Sequence, residues 1–244
     1  DERIKATGHT SFKSYFLFLR CEASEKELQT LINSLTVNET YFFREDYQLS
    51  CMVLHMFPEI TSRKKKGDVI KIWSIPCSTG EEPYSLAIYL LEYWNGINDY
   101  DVEIVASDID TDALERAKRG LYSERSIHQL PQKIRNKYFC STGNGYYKIS
   151  EDLLSSVEFT RVNIVDRNET KKYRNFDIVF CRNLLIYFDD FSRKIAAENL
   201  YDSMNPGGFI CLGHAESMSR ISPIFQIRRF PEAIVYQKPW EARA

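Results

Sequence analysis

Two adjacent carboxylates, Glu81 and Glu82, follow a turn of small residues, Cys77-Ser78-Thr79-Gly80, and directly precede Pro83. Negative side chains near a helix N-terminus favour the helix dipole, but they repel a phosphate. A dinucleotide fingerprint needs three glycines so that backbone can approach a pyrophosphate, and only Gly80 is present here. The acids suit a ligand carrying an ammonium or a sulfonium group, and S-adenosylmethionine carries both. On this stretch alone, an ordinary surface helix with acids in its first turn accounts for them equally well. A third carboxylate, Asp108, follows the alternating β-branched run at residues 102–106. An acid at the end of a second strand can accept from both ribose hydroxyls of a nucleotide-type cofactor. Asp110 reads as the N-cap of a helix over residues 112–118. Upstream, Thr36, Asn38 and Thr40 stand ahead of Tyr41-Phe42-Phe43-Arg44. A cap followed by core aromatics explains the triplet and leaves Arg44 unexplained.

These residues need a scaffold, and the hydrophobic pattern supplies one. The apolar run at residues 69–75 stops at Pro76, and Pro83 suits the first turn of a helix. Leu86, Ala87, Leu90, Leu91 and Trp94 then share one helical face. Strand, tight loop and helix follow in order, and in a parallel sheet such a loop lies where ligands bind. Residues 176–181 form a buried strand running into Arg182-Asn183-Leu184-Leu185-Ile186-Tyr187-Phe188. A helix over residues 192–204 stops at Asn205-Pro206-Gly207-Gly208, and a strand at 209–212 leads into Gly213-His214-Ala215-Glu216-Ser217. Residues 225–230 and 233–237 read as two strands around Pro231, antiparallel because no helix connects them. The expected fold class is α/β, a Rossmann-like, mostly parallel sheet with one reversed strand.

The flanking segments are different in character. Ser11 caps a helix with Phe12, Tyr15, Phe16 and Leu19 on one face. Ser24 and Glu27 form a capping box for a second helix through Leu28, Leu31, Ile32 and Leu35. A third helix starts at Glu45 and Asp46 and ends at Pro58. Between residues 121 and 166 the alternation with long helices breaks down. A short helix over 132–138 precedes aromatic runs on either side of Thr142-Gly143-Asn144-Gly145, a hairpin signal. Residues 157–162 are the expected third strand of this small antiparallel insert, a platform suited to a protein partner. The expected division is a short helical domain remnant at 1–36 and a cofactor-binding domain at 37–244, with the insert at about 122–165.

Composition narrows the classes. The chain has 244 residues, 43% hydrophobic and 27% charged, with a net charge of −2, as in a soluble globular protein. Its only basic run, Arg63-Lys64-Lys65-Lys66, reads as a solvated loop, so no nucleic-acid partner is expected. Apolar runs fall far short of the roughly 20 residues a membrane helix needs, and the first residues lack the apolar core of a signal peptide. The six cysteines are irregularly spaced and read as reduced thiols of a cytoplasmic protein. The four histidines form no ligand-spaced cluster, so no metal site is expected.

Four pieces, Asn38-Glu39-Thr40-Tyr41-Phe42-Phe43-Arg44, Ser78-Thr79-Gly80-Glu81-Glu82-Pro83-Tyr84-Ser85, Ala106-Ser107-Asp108-Ile109-Asp110 and Cys181-Arg182-Asn183-Leu184-Leu185-Ile186-Tyr187-Phe188, occur in this order. With them the chain resembles the chemotaxis receptor protein-glutamate O-methyltransferases, the CheR family, from about Ser11 to Lys238. The resemblance implies a class I methyltransferase fold and S-adenosylmethionine as methyl donor, leaving S-adenosylhomocysteine. It implies cofactor contacts at Asn38, Thr40, Arg44, Glu82, Asp108, Asn163, Ile164, Cys181 and Arg182. It places Arg44 and Tyr187 beside the transferred methyl. The implied partner is the cytoplasmic domain of a methyl-accepting chemotaxis receptor, met by a monomeric enzyme without membrane insertion. The hairpin at residues 141–146 is shorter than in family members that dock on a receptor's C-terminal pentapeptide, so such docking is not implied.

Three rival readings fit the residues less well. An NAD-dependent oxidoreductase conflicts with the missing glycines and the paired acids. A nucleic-acid methyltransferase would carry an Asn-Pro-Pro-aromatic motif to stack on a flipped base, where this chain has Arg182-Asn183-Leu184-Leu185. A non-catalytic S-adenosylmethionine-binding scaffold is opposed by the intact set Asn38, Arg44, Asp108 and Tyr187.

Overall fold

The computed structural model describes residues 1–240. Its strands are β1 (Val69–Ser74), β2 (Asp101–Asp108), β3 (Leu121–Ser123), β4 (Phe139–Gly143), β5 (Tyr146–Ile149), β6 (Val157–Arg161), β7 (Phe176–Cys181), β8 (Met204–Leu212), β9 (Gln226–Arg229) and β10 (Ile234–Gln237). Seven of them form one sheet in the order β6-β2-β1-β7-β8-β10-β9. The pairs β1–β2, β1–β7, β2–β6 and β7–β8 are parallel, whereas β10 runs antiparallel to both β8 and β9. This is the expected mostly parallel sheet with one reversed strand. The chain order changes direction at β1, between β2 on one side and β7 on the other, so a crevice opens at the carboxyl ends of these strands.

Both faces of the sheet are buried, as parallel sheets require. On one face Ile70, Ile72, Ile104, Ile178 and Phe180 meet Tyr84, Leu86 and Ile88 of the helix Glu81–Tyr93. On the other, Trp73, Val179 and Ile210 meet Ala196, Ala197 and Leu200 of the helix Asp190–Ser203. Trp73 stacks on Tyr173 at 4.8 Å and donates its indole N–H to Ser107 at 2.9 Å.

Several expectations are corrected. The strand at 157–162 does not complete the insert. As β6, it pairs with the free edge of β2, and the third strand of the small sheet is β3, in the order β3-β5-β4. Gly120 makes this possible at φ +60°, where a Cβ would lie 2.6 Å from Ile149 and 2.5 Å from Leu154. The helix from Asp46 does not end at Pro58. It passes through a π-helical stretch, Met52–Met56, into Phe57–Thr61. Pro58 sits in the first turn of that last segment, where an N–H is not needed. Ser24 accepts the Glu27 N–H at 3.3 Å, but the Glu27 carboxylate does not return to Ser24. It is taken by Arg3 and by the Tyr15 hydroxyl, since a charge-assisted bond outweighs a neutral one. A reciprocal box forms instead at Ser11 and Ser14. Of the four residues assigned to that helix's apolar face, Tyr15 is buried whereas Phe12 and Phe16 are exposed. The helix expected from residue 192 starts at Asp190, because Asp189 accepts the Ser192 N–H at 2.7 Å. The strand expected at 209–212 begins at Met204, with a register shift against β7.

Asp110 is the N-cap of Thr111–Arg119, as expected, and it does more than cap. Its Oδ1 accepts the N–H groups of Asp112 and Ala113 at 2.9 and 3.0 Å. Its Oδ2 accepts from the Thr36 hydroxyl at 2.5 Å and the Asn38 amide at 2.6 Å. The residue therefore ties the segment before Arg44 to the end of β2. Burial pushes its carboxyl up, but the bonds from Thr36, Ala113, Asn38 and Asp112 outweigh this and hold it below the usual 3.8. Among the described residues no helix is long and apolar enough to cross a membrane.

Replacing Asp110 with Ala is expected to cost about 1–2 kcal/mol near neutral pH, the value of a good N-cap, as read by urea unfolding. The wild-type advantage is fully present above the unfolded carboxyl value of 3.8 and fades as the pH falls through the lower folded one. A difference that grows on acidification contradicts this assignment.

Candidate functional site

The loop after β1 is shaped by backbone. The Ile75–Pro76 peptide is cis, Ser78 lies at φ +49°, and Gly80 at φ +94° precedes the helix Glu81–Tyr93. A Cβ on Gly80 would sit 2.9 Å from the Ala117 Cβ and 3.0 Å from the Tyr122 hydroxyl, so only glycine fits this turn. The two acids then part company. Glu81 is buried, accepts from the Thr79 hydroxyl at 2.6 Å, and lies beside the Ser126 side chain. It is not a surface helix acid. Glu82 turns toward the sheet, where its Oε1 accepts from the Ser74 hydroxyl at 2.7 Å and its Oε2 lies 3.2 Å from Arg182 Nε. Burial raises the Glu82 carboxyl, and the Arg182 charge opposes that rise.

Arg182 follows β7 directly and is itself 6% exposed. Its Nη2 donates to the Arg44 carbonyl at 2.8 Å, and its Nε lies 3.9 Å from Glu45. That Nε is buried and makes no hydrogen bond of its own. Arg44 is held between two residues in the left-handed region, Phe43 at φ +59° and Glu45 at φ +53°. This is strained backbone for such side chains, and it is clamped on both sides. The Phe43 N–H donates to Ser85 at 3.0 Å, and Arg44 Nη1 reaches the Glu39 carbonyl at 2.7 Å.

Asp108 closes β2. Its Oδ2 accepts the Ser78 N–H at 2.7 Å and its Oδ1 the Asp110 N–H at 3.0 Å. Burial pushes its carboxyl up, and the backbone bonds counteract this. The Ser78 hydroxyl donates to Asn38 at 2.9 Å, so the loop, the β2 end and the 36–44 segment form one hydrogen-bonded rim.

Two adjoining cavities open on this rim. The first, about 810 Å³, is lined by Thr40, Arg44, Glu82, Arg182 and Tyr187 among others. The second, about 1040 Å³, takes in Asn38, Asp108, Asn163, Ile164 and Tyr187. Val37, Pro76, Ser78, Asn183 and Tyr187 border both, so the two are lobes of one crevice. One lobe sets Glu82 among two guanidinium groups, which suits the zwitterionic end of a ligand. The other has apolar walls at Val37, Ile75, Ile164, Leu184 and Phe188 with Asp108 at its edge, which suits a nucleoside. Of the expected contacts, Cys181 stands apart. It is fully buried and lines neither lobe. Among the described residues, no group of His, Cys, Asp and Glu could hold a metal ion.

Of the shared wall, the sequence singles out Tyr187 and assigns no role to Val37, Ser78 or Asn183. Asn183 lies at φ +58°, a conformation asparagine tolerates better than most residues, and its place at a strand end was the available signal. Ser78 and Val37 carry no comparable signal.

A family model described as CheR methyltransferase, SAM binding domain, matches residues 38–234. Chemotaxis protein methyltransferase 2 of Vibrio cholerae is 50% identical over 243 residues, covering 100% of this chain and 84% of that protein. The chemotaxis protein methyltransferases of Salmonella typhimurium and Escherichia coli are 34% and 33% identical, each over 93% of this chain and over 76% and 77% of their own lengths.

Arg182→Ala is expected to cost about 3–5 kcal/mol, because Glu82 is left buried without its counter-charge. Arg182→Lys should recover little, since one ammonium cannot serve both Glu82 and the Arg44 carbonyl in the guanidinium's fixed fork. Urea unfolding of both variants measures this. A loss below about 1 kcal/mol for the alanine variant, the range of an exposed pair, contradicts the role given to Arg182.

Proposed function

The chain belongs to the CheR methyltransferase family, with S-adenosylmethionine as its cofactor, and from that premise we propose that it esterifies glutamate side chains of methyl-accepting chemotaxis receptors. The observation that carries this reading is the meeting of Arg44 and Tyr187 in the lobe that also holds Glu82 and Arg182. Tyr187 is 61% exposed there, within reach of a side chain presented by another protein.

S-adenosylmethionine, when bound, supplies an electrophilic methyl group on a sulfonium centre. Glu82, Arg182, Arg44, Thr40, Asn38, Asp108, Asn163 and Ile164 are the residues proposed to hold it, the first four in the charged lobe and the others in the apolar one. An exposed glutamate has a pKa of about 4.3 and is already ionised near neutral pH, so no general base is needed. What the protein must supply is placement, with the carboxylate oxygen held about 3 Å from the carbon it attacks. Arg44 is suited to steer that carboxylate, its carbonyl being held by Arg182 and the preceding Phe43 N–H by Ser85. Tyr187 can orient the same group with its hydroxyl. Opposite charges are neutralised as the methyl is transferred, so the apolar wall favours reaction by limiting water.

The test is transfer of labelled methyl from S-adenosylmethionine to membranes bearing a chemotaxis receptor. Label on the receptor that is released by mild base is the expected result, as for an ester. Base-stable label overturns the glutamate assignment, and cofactor binding without transfer overturns the catalytic one. In the same assay Arg44→Ala should lower kcat about 100-fold or more, the scale for losing one charge-stabilising donor. A near-normal rate in that variant removes Arg44 from the reaction.

A further inference from the structure

Glu216 lies in the segment after β8 and lines neither lobe. Its carboxylate is nevertheless committed to three backbone amides. Oε2 accepts the N–H of Asn183 at 2.7 Å and of Gly213 at 2.9 Å, and Oε1 accepts the N–H of Ile186 at 3.2 Å. Its own N–H donates to the Gly213 carbonyl at 2.9 Å. One side chain thus joins the ends of two parallel strands, β7 and β8, at the crevice edge.

The bonded amides belong to the turn that carries Tyr187. After Arg182 the chain leaves the sheet at Asn183 in the left-handed region, and a single 3-10 turn, Leu185–Tyr187, follows. Left-handed backbone cannot continue the ladder, so the amides of this turn need another acceptor. Gly213 lets the two strand ends come together, since a Cβ there would lie 2.6 Å from the Asn183 side-chain nitrogen. A carboxylate receiving several amides is a strong, directional anchor.

We propose that Glu216 is a positioning residue for methyl transfer, fixing the 183–187 turn so that Asn183 and Tyr187 border the crevice in one arrangement. The proposal rests on the role given to Tyr187 above. It acts through the turn and makes no contact with the reacting groups.

Glu216→Ala, Glu216→Gln, Tyr187→Phe and the Glu216→Ala, Tyr187→Phe double variant test it, using labelled S-adenosylmethionine and receptor-bearing membranes. Glu216→Ala is expected to lower kcat about 10- to 100-fold, the scale of a small misplacement, with S-adenosylmethionine affinity by calorimetry kept within about threefold. Glu216→Gln keeps one oxygen acceptor and should fall between the alanine variant and the wild type. The double variant should lose less than the product of the two single losses, since both act through one group. Independently of any substrate, hydrogen exchange at Asn183, Ile186 and Gly213 should be faster in the alanine variant by about tenfold or more, with the sheet unchanged. Unaltered exchange at these amides, wild-type turnover in Glu216→Ala, fully multiplicative losses, or cofactor affinity falling in step with turnover each overturns the proposal. If Tyr187→Phe turns over normally while exchange in Glu216→Ala is faster, the role of Tyr187 fails and the anchoring of the turn stands.

Discussion

A buried guanidinium is the constraint on which the crevice depends. Arg182 is almost wholly out of water, 3.2 Å from Glu82 and bonded to the Arg44 carbonyl. Through it the end of β7, the helix Glu81–Tyr93 and the segment around Arg44 are held to each other. Removing a charge from water costs several kcal/mol per ion, and a single partner seldom repays this. A buried pair is therefore a poor device for stability alone. Here it fixes geometry, because a planar fork that serves Glu82 on one side and a carbonyl on the other permits one placement of each. Its Nε is buried and makes no hydrogen bond, held by charge between Glu82 at 3.2 Å and Glu45 at 3.9 Å.

The remaining rim is built on carboxylates that receive backbone amides. Asp108 takes those of Ser78 and Asp110, Asp110 those of Asp112 and Ala113, and Glu216 those of Asn183, Ile186 and Gly213. Each occurs at or just after the end of a parallel strand, where amides of the strand end or of the following helix's first turn have no backbone acceptor. Strand ends in such a sheet are thus at once the places that need acceptors and the places where a ligand can enter. The positive φ angles of Phe43, Glu45, Ser78 and Asn183 cluster on the same edge. Strain of this sort persists only where surrounding contacts hold it, and the clamps by Ser85, Arg182, Asp108 and Glu216 are those contacts.

Much of this was legible in the sequence, and the limits have physical causes. The strand, turn and helix around Gly80 could be read because Pro83, the apolar spacing and the single glycine are local signals. Asp110 was legible as a cap because capping is local too. Its second oxygen was not, since Thr36 and Asn38 lie 74 and 72 residues away in the chain. The exchange of β3 for β6 in the insert escaped because pairing between short strands is decided by which sheet edge is free. Of the two acids, Glu82 was legible as the ligand-facing one through the family motif, whereas the burial of Glu81 was not, since a first-turn helix acid is ordinarily exposed. Cys181 matched a family motif, yet its side chain is fully buried, as a residue of a strand covered on both faces is.

If the two lobes are one site, a nucleoside lies beside Asp108 and a charged end between Glu82 and Arg44. A crystal structure with S-adenosylhomocysteine tests this most directly. The ribose is expected within hydrogen-bond reach of Asp108, the amino-acid end among Glu82, Arg44 and Arg182, and the sulfur turned toward Tyr187. A ligand confined to one lobe, or bound with Arg182 displaced from Glu82, contradicts it.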